Sequence, residues 1–263
     1  SWDKYVYDHP DGILYHLFSW KKVIEKAYDH KTYYLAAVNS ASPNKLTGVL
    51  PLIHLKHFLF GNSLISIPFF DMGGILADNE ETEKALLGEA IKLGKSLKVD
   101  SIELRHDHVR SCFKELNFSN SIACTLKTHK VRMLLELPES SEVLMKFFKS
   151  KLRSQIKKPI KEGLKSKIGG IELLDEFYKV FLINMRDLGS PVHSKKLLKN
   201  VLKQFKEHTK IVVVHKDNKP YAASIISGFK DTLENPWSSS LQRYRRLSPN
   251  MLLYWTMLEY ACD

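Results

Sequence analysis

The chain has 263 residues, 44% hydrophobic and 26% charged, with 12 glycines and 10 prolines. That composition excludes collagen-like, low-complexity and disordered classes and suits one large domain or two ordinary ones. Forty Lys and Arg against 29 Asp and Glu leave a net charge of +11, which favours polyanionic partners such as nucleic acid, nucleotide phosphates or an acidic membrane face without choosing among them. No apolar run approaches the ~18 residues of a membrane span. Cys112, Cys124 and Cys262 are too scattered for a disulfide framework or a zinc-type CxxC spacing, so a reducing, cytoplasmic setting is expected. Ser1-Trp2-Asp3 shows neither an initiator Met nor a signal-peptide pattern, and the chain is expected to be part of a longer one.

In chain order, residues 12–27 read as a helix with Leu14, Leu17, Phe18, Val23, Ile24 and Ala27 on one face. Strands are expected at 32–38 and 46–57, joined by a turn at Ser42-Pro43-Asn44, and again at 63–67. Asp71-Met72-Gly73-Gly74 breaks the pattern, and Asn79 caps a helix to about residue 97 with acids in its first turn. A strand at 99–104, a short helix at 109–116 and strands at 118–126 and 130–137 follow. A long basic helix starts near Ser140, with Pro159 expected to kink it. Helices at 176–188 and from Ser194 to about 208 precede strands at 210–215, 220–229 and 234–240 and a helix at 249–261.

A hairpin, a strand and a helix thus occur in the same order in both halves, which suggests two copies of one fold. The expected domains are residues 1–128 and 129–263, the second opened by the basic helix. That copy stops where the first continues through a strand, a short helix and two more strands, so the native chain is expected to continue past Asp263 and supply them.

Three segments carry chemistry. Residues 142–169 hold nine basic side chains against Glu142 and Glu162, either an anion-binding helix or a solvated amphipathic face; Lys151 and Arg153 are its most informative pair. Residues 237–250 run from a strand through a basic loop into a helix, aiming backbone N–H groups and Arg243, Arg245 and Arg246 at one spot. That suits a phosphate or an oxyanion, or is a plain helix start capped by Ser248 with Pro249 at its first position. Asp71, with Asp78 just beyond, occupies the equivalent turn of the first copy and is either a base toward an amine or a turn former. No metal is expected: His54 and His57 face opposite ways on a strand, and no third ligand has zinc spacing. No GxSxG marks a serine nucleophile.

With these segments in place, the sequence resembles the FemAB-related proteins of the GNAT superfamily, nearest to the group associated with exopolysaccharide and PEP-CTERM systems. The resemblance covers essentially the whole chain. It is carried by Trp20-Lys21-Lys22-Val23-Ile24, Gly48-Val49-Leu50-Pro51-Leu52, residues 66–74, Glu103-Leu104-Arg105, residues 151–156, residues 184–191 and residues 236–240 through 249–255. It implies an α/β fold of tandem GNAT-like (acyl-CoA N-acyltransferase-like) domains, mixed sheets flanked by helices.

It also implies an N-acyltransferase that moves an acyl or aminoacyl group onto an amine of a cell-envelope or polysaccharide precursor. No cofactor would be tightly bound; acyl-CoA or aminoacyl-tRNA would be the co-substrate. The donor turn matches Gln242 to Asn250, with Arg243, Tyr244, Arg245 and Asn250 as its contacts. Asp71 or Asp78 would act as base, and Arg105, Lys151, Arg153, Trp237 and Ser238 would hold the substrate. The partners implied are an anionic precursor, tRNA and a peripheral contact with the inner membrane face. The competing reading is a catalytically inactive GNAT-like module that binds an anionic glycan precursor or RNA; a plain nucleic-acid-binding protein ranks below both.

Overall fold

A computed structural model describes residues 1–39, 41–57, 61–114 and 123–263, which form two compact units, Ser1–Leu134 and Leu135–Asp263. Both are mixed α/β, each built on one β-sheet flanked by helices.

The first unit opens with α1 (Trp2–Asp8), which the apolar spacing did not reveal, a 3-10 turn at Leu14–His16 and α2 (Ser19–Tyr28). The helix expected at 12–27 is therefore broken. Leu17 takes an extended conformation, and the bend buries Leu14, Tyr15, Leu17 and Trp20 together, with Trp20 Nε1 donating to Leu14 O at 2.9 Å. β1 (Lys31–Asn39) pairs antiparallel with β2 (Ser42–His57), which begins inside the expected turn. β3 (Gly61–Ile65) and the two-residue β4 (Leu76–Ala77) lie on the same edge of β2, so they are two pieces of one strand with residues 66–75 thrown out between them.

α3 (Glu80–Ser96) then crosses the sheet, β5 (Ser101–Glu103) returns parallel to β3, and α4 (Ser111–Lys114) is the last regular element of this unit among the described residues. Leu50, Leu52, Leu64 and Ile75 of the sheet side pack on Leu86, Leu87 and Ala90 of α3. Gly48 lies where α3 comes closest: a Cβ there would stand 2.6 Å from Thr82 Cγ2. The short helix expected at 109–116 is confined to Ser111–Lys114 among the described residues. Of the strands expected at 118–126 and 130–137, residues 118–122 lie outside the described residues. Residues 123–137 have no regular structure, and Leu126, Val131, Met133 and Leu134 are exposed. An alternating pattern makes a strand only where a neighbour supplies the ladder.

The second unit begins with α5 (Ser141–Phe147) and α6 (Ser150–Lys161). The long basic helix thus breaks at Phe148 rather than at Pro159. Phe148 is extended and packs edge-on against Trp255 at 6.3 Å. Pro159 sits in the last turn, where little helix remains to lose, and Gly163 at φ +80° closes it.

β6 (Lys165–Gly169), too polar to read as a strand, leads through a 3-10 turn at Ile171–Leu173 into α7 (Leu174–Asp187). α8 (Lys195–Gln204) is capped by Ser194, which accepts from Leu197 N, as its sequence predicts. β7 (Thr209–Lys216), β8 (Lys219–Phe229) and β9 (Thr232–Ser240) follow, then a 3-10 turn at Gln242–Leu247 and α9 (Pro249–Cys262). The sheet order β6-β7-β8-β9 is antiparallel throughout. Val212 and Val214 pack on Leu252, Leu253 and Met257 of α9; Ile211 and Val213 alternate to the opposite face, which α7 covers.

Candidate functional site

In the first unit the chain between β3 and β4 is wound into a constrained turn. Ile67, wholly buried, stands at φ +46° and Phe69 at φ +77°, a left-handed region that costs a β-branched or bulky residue on the order of 1–3 kcal/mol. The turn persists because its surroundings hold it. Arg105 N donates to Ser66 Oγ at 2.9 Å, and Arg105 O accepts from Gly73 N and Gly74 N. The Arg105 guanidinium reaches Phe70 O and, through Nε at 2.8 Å, Glu103. Phe70 packs on Tyr15 and Trp20 with ring centres 4.6 and 4.5 Å away.

Two histidines complete the clamp. His106 Nε2 accepts from Ile75 N at 2.9 Å, and His16 Nε2 lies 3.2 Å from Gly74 O. Position 74 must be glycine, since a Cβ there would fall 2.3 Å from His106 Nε2. Burial pushes the His16 imidazole down to about 3 and that of His106 to about 4, so both are neutral at ordinary pH. At the tip, Asp71 keeps 72% of its side chain in solvent, in an ion pair with Lys130 at 2.5 Å.

Asp78 is not brought to that tip. Its Oδ1 accepts from the Tyr5 hydroxyl at 2.8 Å, which joins α1 to the corner between β4 and α3, and burial together with this bond raises the Tyr5 pKa. Arg105 likewise lies at the base of the turn, engaged with backbone and Glu103. α3 starts sealed: Asn79 caps Thr82 N at 2.9 Å, and Glu80, Glu81 and Glu83 fill the first turn. Behind it Glu83 and Arg110 form an ion pair at 3.3 Å with side chains 8% and 13% exposed.

The same junction in the second unit is built differently. Leu241 N extends the sheet by one bond to Tyr221 O, the 3-10 turn follows, and Ser248 at φ +55° redirects the chain into α9 with Pro249 at its first position. Ser248 is the N-cap residue, but its side chain caps no N–H, and the first turn of α9 has no acid. The positive end of the helix dipole is therefore left without side-chain compensation. The 3-10 turn before it carries exposed Arg243, Arg245 and Arg246, and Asn250 is exposed in its first turn. Tyr244 lies flat on buried Tyr221, ring centres 3.8 Å apart and planes 7° apart, and the Arg243 guanidinium lies over the Tyr244 ring at 4.7 Å. Of the expected residues, Arg243, Tyr244 and Arg245 lie in the 3-10 turn and Asn250 in the first turn of α9.

Trp237 and Ser238 do not converge. Strand alternation and the pairing of Ile225 with Trp237 and of Ser224 with Ser238 put Trp237 on the α7 face and Ser238 on the α9 face. On the α7 face, Asn184 Nδ2 donates to Ser239 Oγ at 3.1 Å, and the His193 ring sits 6.0 Å from that of Trp237. Burial lowers the His193 pKa. Asn184, His193, Ser239 and Tyr221 were not predicted as site residues; the available signal was Asn184, a polar residue on the apolar stripe of α7 that carries Phe177 and Phe181. Lys151 and Arg153 lie in the first turn of α6, exposed and half-buried, while Leu152 and Ile156 turn inward to Trp255.

Among the described residues no group of three His, Cys, Asp or Glu side chains is placed to hold a metal ion, and no helix is long and apolar enough to cross a membrane.

Residues 150–263 match the family model described as an acetyltransferase (GNAT) domain. No curated protein matches the sequence. Among solved structures, the chain is similar to FemX, with 16% identity and a TM-score of 0.72 over 99% of this chain and 83% of that one. A Bacteroides thetaiotaomicron VPI-5482 protein of unknown function shares the fold at 12% identity and a TM-score of 0.53, covering 94% and 76%. So does the C-terminal domain of a candidate lysylphosphatidylglycerol synthetase from Agrobacterium fabrum, at 10%, 0.51, 100% and 76%. The second unit thus contains a segment similar to GNAT acetyltransferase domains. The chain as a whole has the fold of FemX.

Proposed function

We propose that the protein is an N-acyltransferase that moves an acyl or aminoacyl group onto an amine of an anionic cell-envelope or polysaccharide precursor, on the cytoplasmic side of the membrane. The observation that carries this reading is the uncompensated start of α9, preceded by an arginine-rich turn, within the segment similar to GNAT domains. Phosphates of the donor, acyl-CoA or aminoacyl-tRNA, would meet Arg243, Arg245, Arg246 and Asn250, with Tyr244 holding Arg243 in place. The chemistry requires an amine held without its proton against the donor carbonyl, and hydrogen-bond donors for the charge that develops on oxygen. Asp71 is the better base candidate, because it keeps 72% of its side chain in solvent even in its ion pair with Lys130, against 37% for Asp78, which is bonded to Tyr5. Lys151 and Arg153 would hold the anionic part of the acceptor.

One feature favours a second reading, an inactive module that binds an anionic glycan precursor or RNA. Residues 242–250 contain no glycine, so a phosphate cannot approach their backbone as closely as in a glycine-rich loop. Isothermal titration with acyl-CoA and with aminoacyl-tRNA separates the two. One donor is expected to bind, and to be lost when Arg243 and Arg245 become Glu; binding of neither donor by the unaltered protein rules out the enzyme reading.

A further inference from the structure

The surplus charge is concentrated in one unit. Leu135–Asp263 contains 23 Lys and Arg against 14 Asp and Glu, net +9, whereas Ser1–Leu134 contains 17 against 15, net +2. Within the second unit, α6 and α8 are helices without an acid, and α8 is the one whose lysines fall on a single solvent face. Leu197, Leu198, Val201 and Leu202 face the core, and Lys195, Lys196, Lys199 and Lys203, with Lys206 just beyond, face solvent. Lys195 pairs with Asp175 of α7 at 2.5 Å. Among the described residues the other four lysines have no acidic partner. A helix surface that only needs solvation mixes its charges, as α3 does with Glu80 to Lys84 and Glu89 to Lys92. α8 instead keeps like charges within about 15 Å of helix length, where they repel one another until an anion is present.

Apolar side chains stand in solvent on the neighbouring chain. Leu182 of α7 is 41% exposed, and Leu188 and Val192, in the segment that joins α7 to α8, are 65% and 39% exposed. That segment runs back along α7: Tyr178 of α7 donates its hydroxyl proton to His193 O at 3.3 Å, and Lys195 then reaches Asp175. The same stretch exposes no aromatic ring, since Phe177 and Phe181 are buried and Tyr178 is half-buried. Lysines combined with exposed aliphatic side chains suit a lipid headgroup layer, where ammonium groups meet phosphates and short apolar side chains enter the acyl boundary. Single-stranded nucleic acid would call for stacking surfaces that this face lacks.

We infer that the α7–α8 face docks on an anionic lipid bilayer, with Lys196, Lys199, Lys203 and Lys206 on headgroup phosphates and Leu188 and Val192 dipping beneath them. The inference does not rest on the acyltransferase reading and holds equally for an inactive module.

Sedimentation with vesicles of phosphatidylcholine alone and of phosphatidylcholine mixed with phosphatidylglycerol tests it. Binding is expected only to the mixed vesicles and should weaken as salt rises. The variant Lys196→Glu, Lys199→Glu, Lys203→Glu should lose about a hundredfold in affinity, at about fivefold per lysine removed. Leu188→Ser with Val192→Ser should lose several-fold at unchanged charge. An unchanged thermal melt shows that each variant is folded, and Lys→Gln replacements serve if the Glu variant is not.

The proposal falls if the unaltered protein leaves the mixed vesicles in the supernatant, or if the lysine variant binds them as well as the parent. It also falls if the serine variant binds unchanged, since the apolar contact would then be absent. Loss of binding to a single-stranded RNA in the lysine variant, with vesicle binding intact, would assign the face to nucleic acid instead.

Discussion

The two strand-to-helix junctions are one architectural element finished in opposite ways. In the first unit the helix start is sealed by Asn79 and three glutamates, and the turn before it is held by Arg105, His16 and His106. In the second unit the helix start has neither side-chain cap nor acid, and arginines stand in the turn before it. Helix geometry alone gives both ends the same positive potential; the side chains decide whether that potential is used up internally or remains available to an anion. On the proposed function, the difference would suit the second unit to a phosphate and leave the first a constrained turn with Asp71 at its tip.

The largest expected effect concerns the sealed junction. His16 and His106 are neutral in the folded protein, with pKa values near 3 and 4 against 6.5 when unfolded. Between those limits the unfolded chain binds more protons. Their contribution to stability is therefore complete above about pH 7 and is lost as pH falls through 6.5 toward 4 and then 3. On the order of 2 kcal/mol per histidine should be gone by pH 5. Urea unfolding from pH 8 to pH 5, compared with His16→Gln and His106→Gln, measures it; a flat profile breaks the comparison.

Next in size is charge reversal at the open junction. Arg243→Glu with Arg245→Glu should weaken donor binding about a hundredfold, or about 2.7 kcal/mol, while Glu80→Lys with Glu81→Lys in the first unit should leave it unchanged. Equal effects from both pairs would mean that only net charge matters. The smallest effect is that of the cap: Asn79→Ala should cost about 1 kcal/mol in urea unfolding and leave donor binding intact.

The elements legible in the sequence are those whose signals are local. The cap and acids of α3, Ser194 ahead of α8, and Pro249 opening α9 all stand where their residue types predict. What was not legible depends on distant partners. β6 is a strand because β7 pairs with it, not because Lys165-Ser166-Lys167 favours one. The basic helix breaks at Phe148 because Trp255, more than 100 residues away, offers that ring a packing site. The site divides in the same way. Arg243, Tyr244, Arg245 and Asn250 are neighbours in sequence, so their shared place ahead of and at the start of α9 is legible from it. The column under Tyr244 needs Tyr221 from another strand, and the pair Asn184 and Ser239 exists only once α7 lies on the sheet. Trp237 and Ser238, both implied by the resemblance, are adjacent in sequence, which on a strand is what separates them.

If Asp71 is the base proposed above, the left-handed conformations of Ile67 and Phe69 bear on how the tip of that turn would meet an acceptor. A flexible loop gives up conformational entropy when it closes on a substrate, and that loss subtracts from affinity. Here the backbone has already been forced into its final shape during folding, so the tip resembles a preset jaw rather than a closing hand. It would discriminate among acceptors by shape, admitting those that fit and yielding little to those that do not.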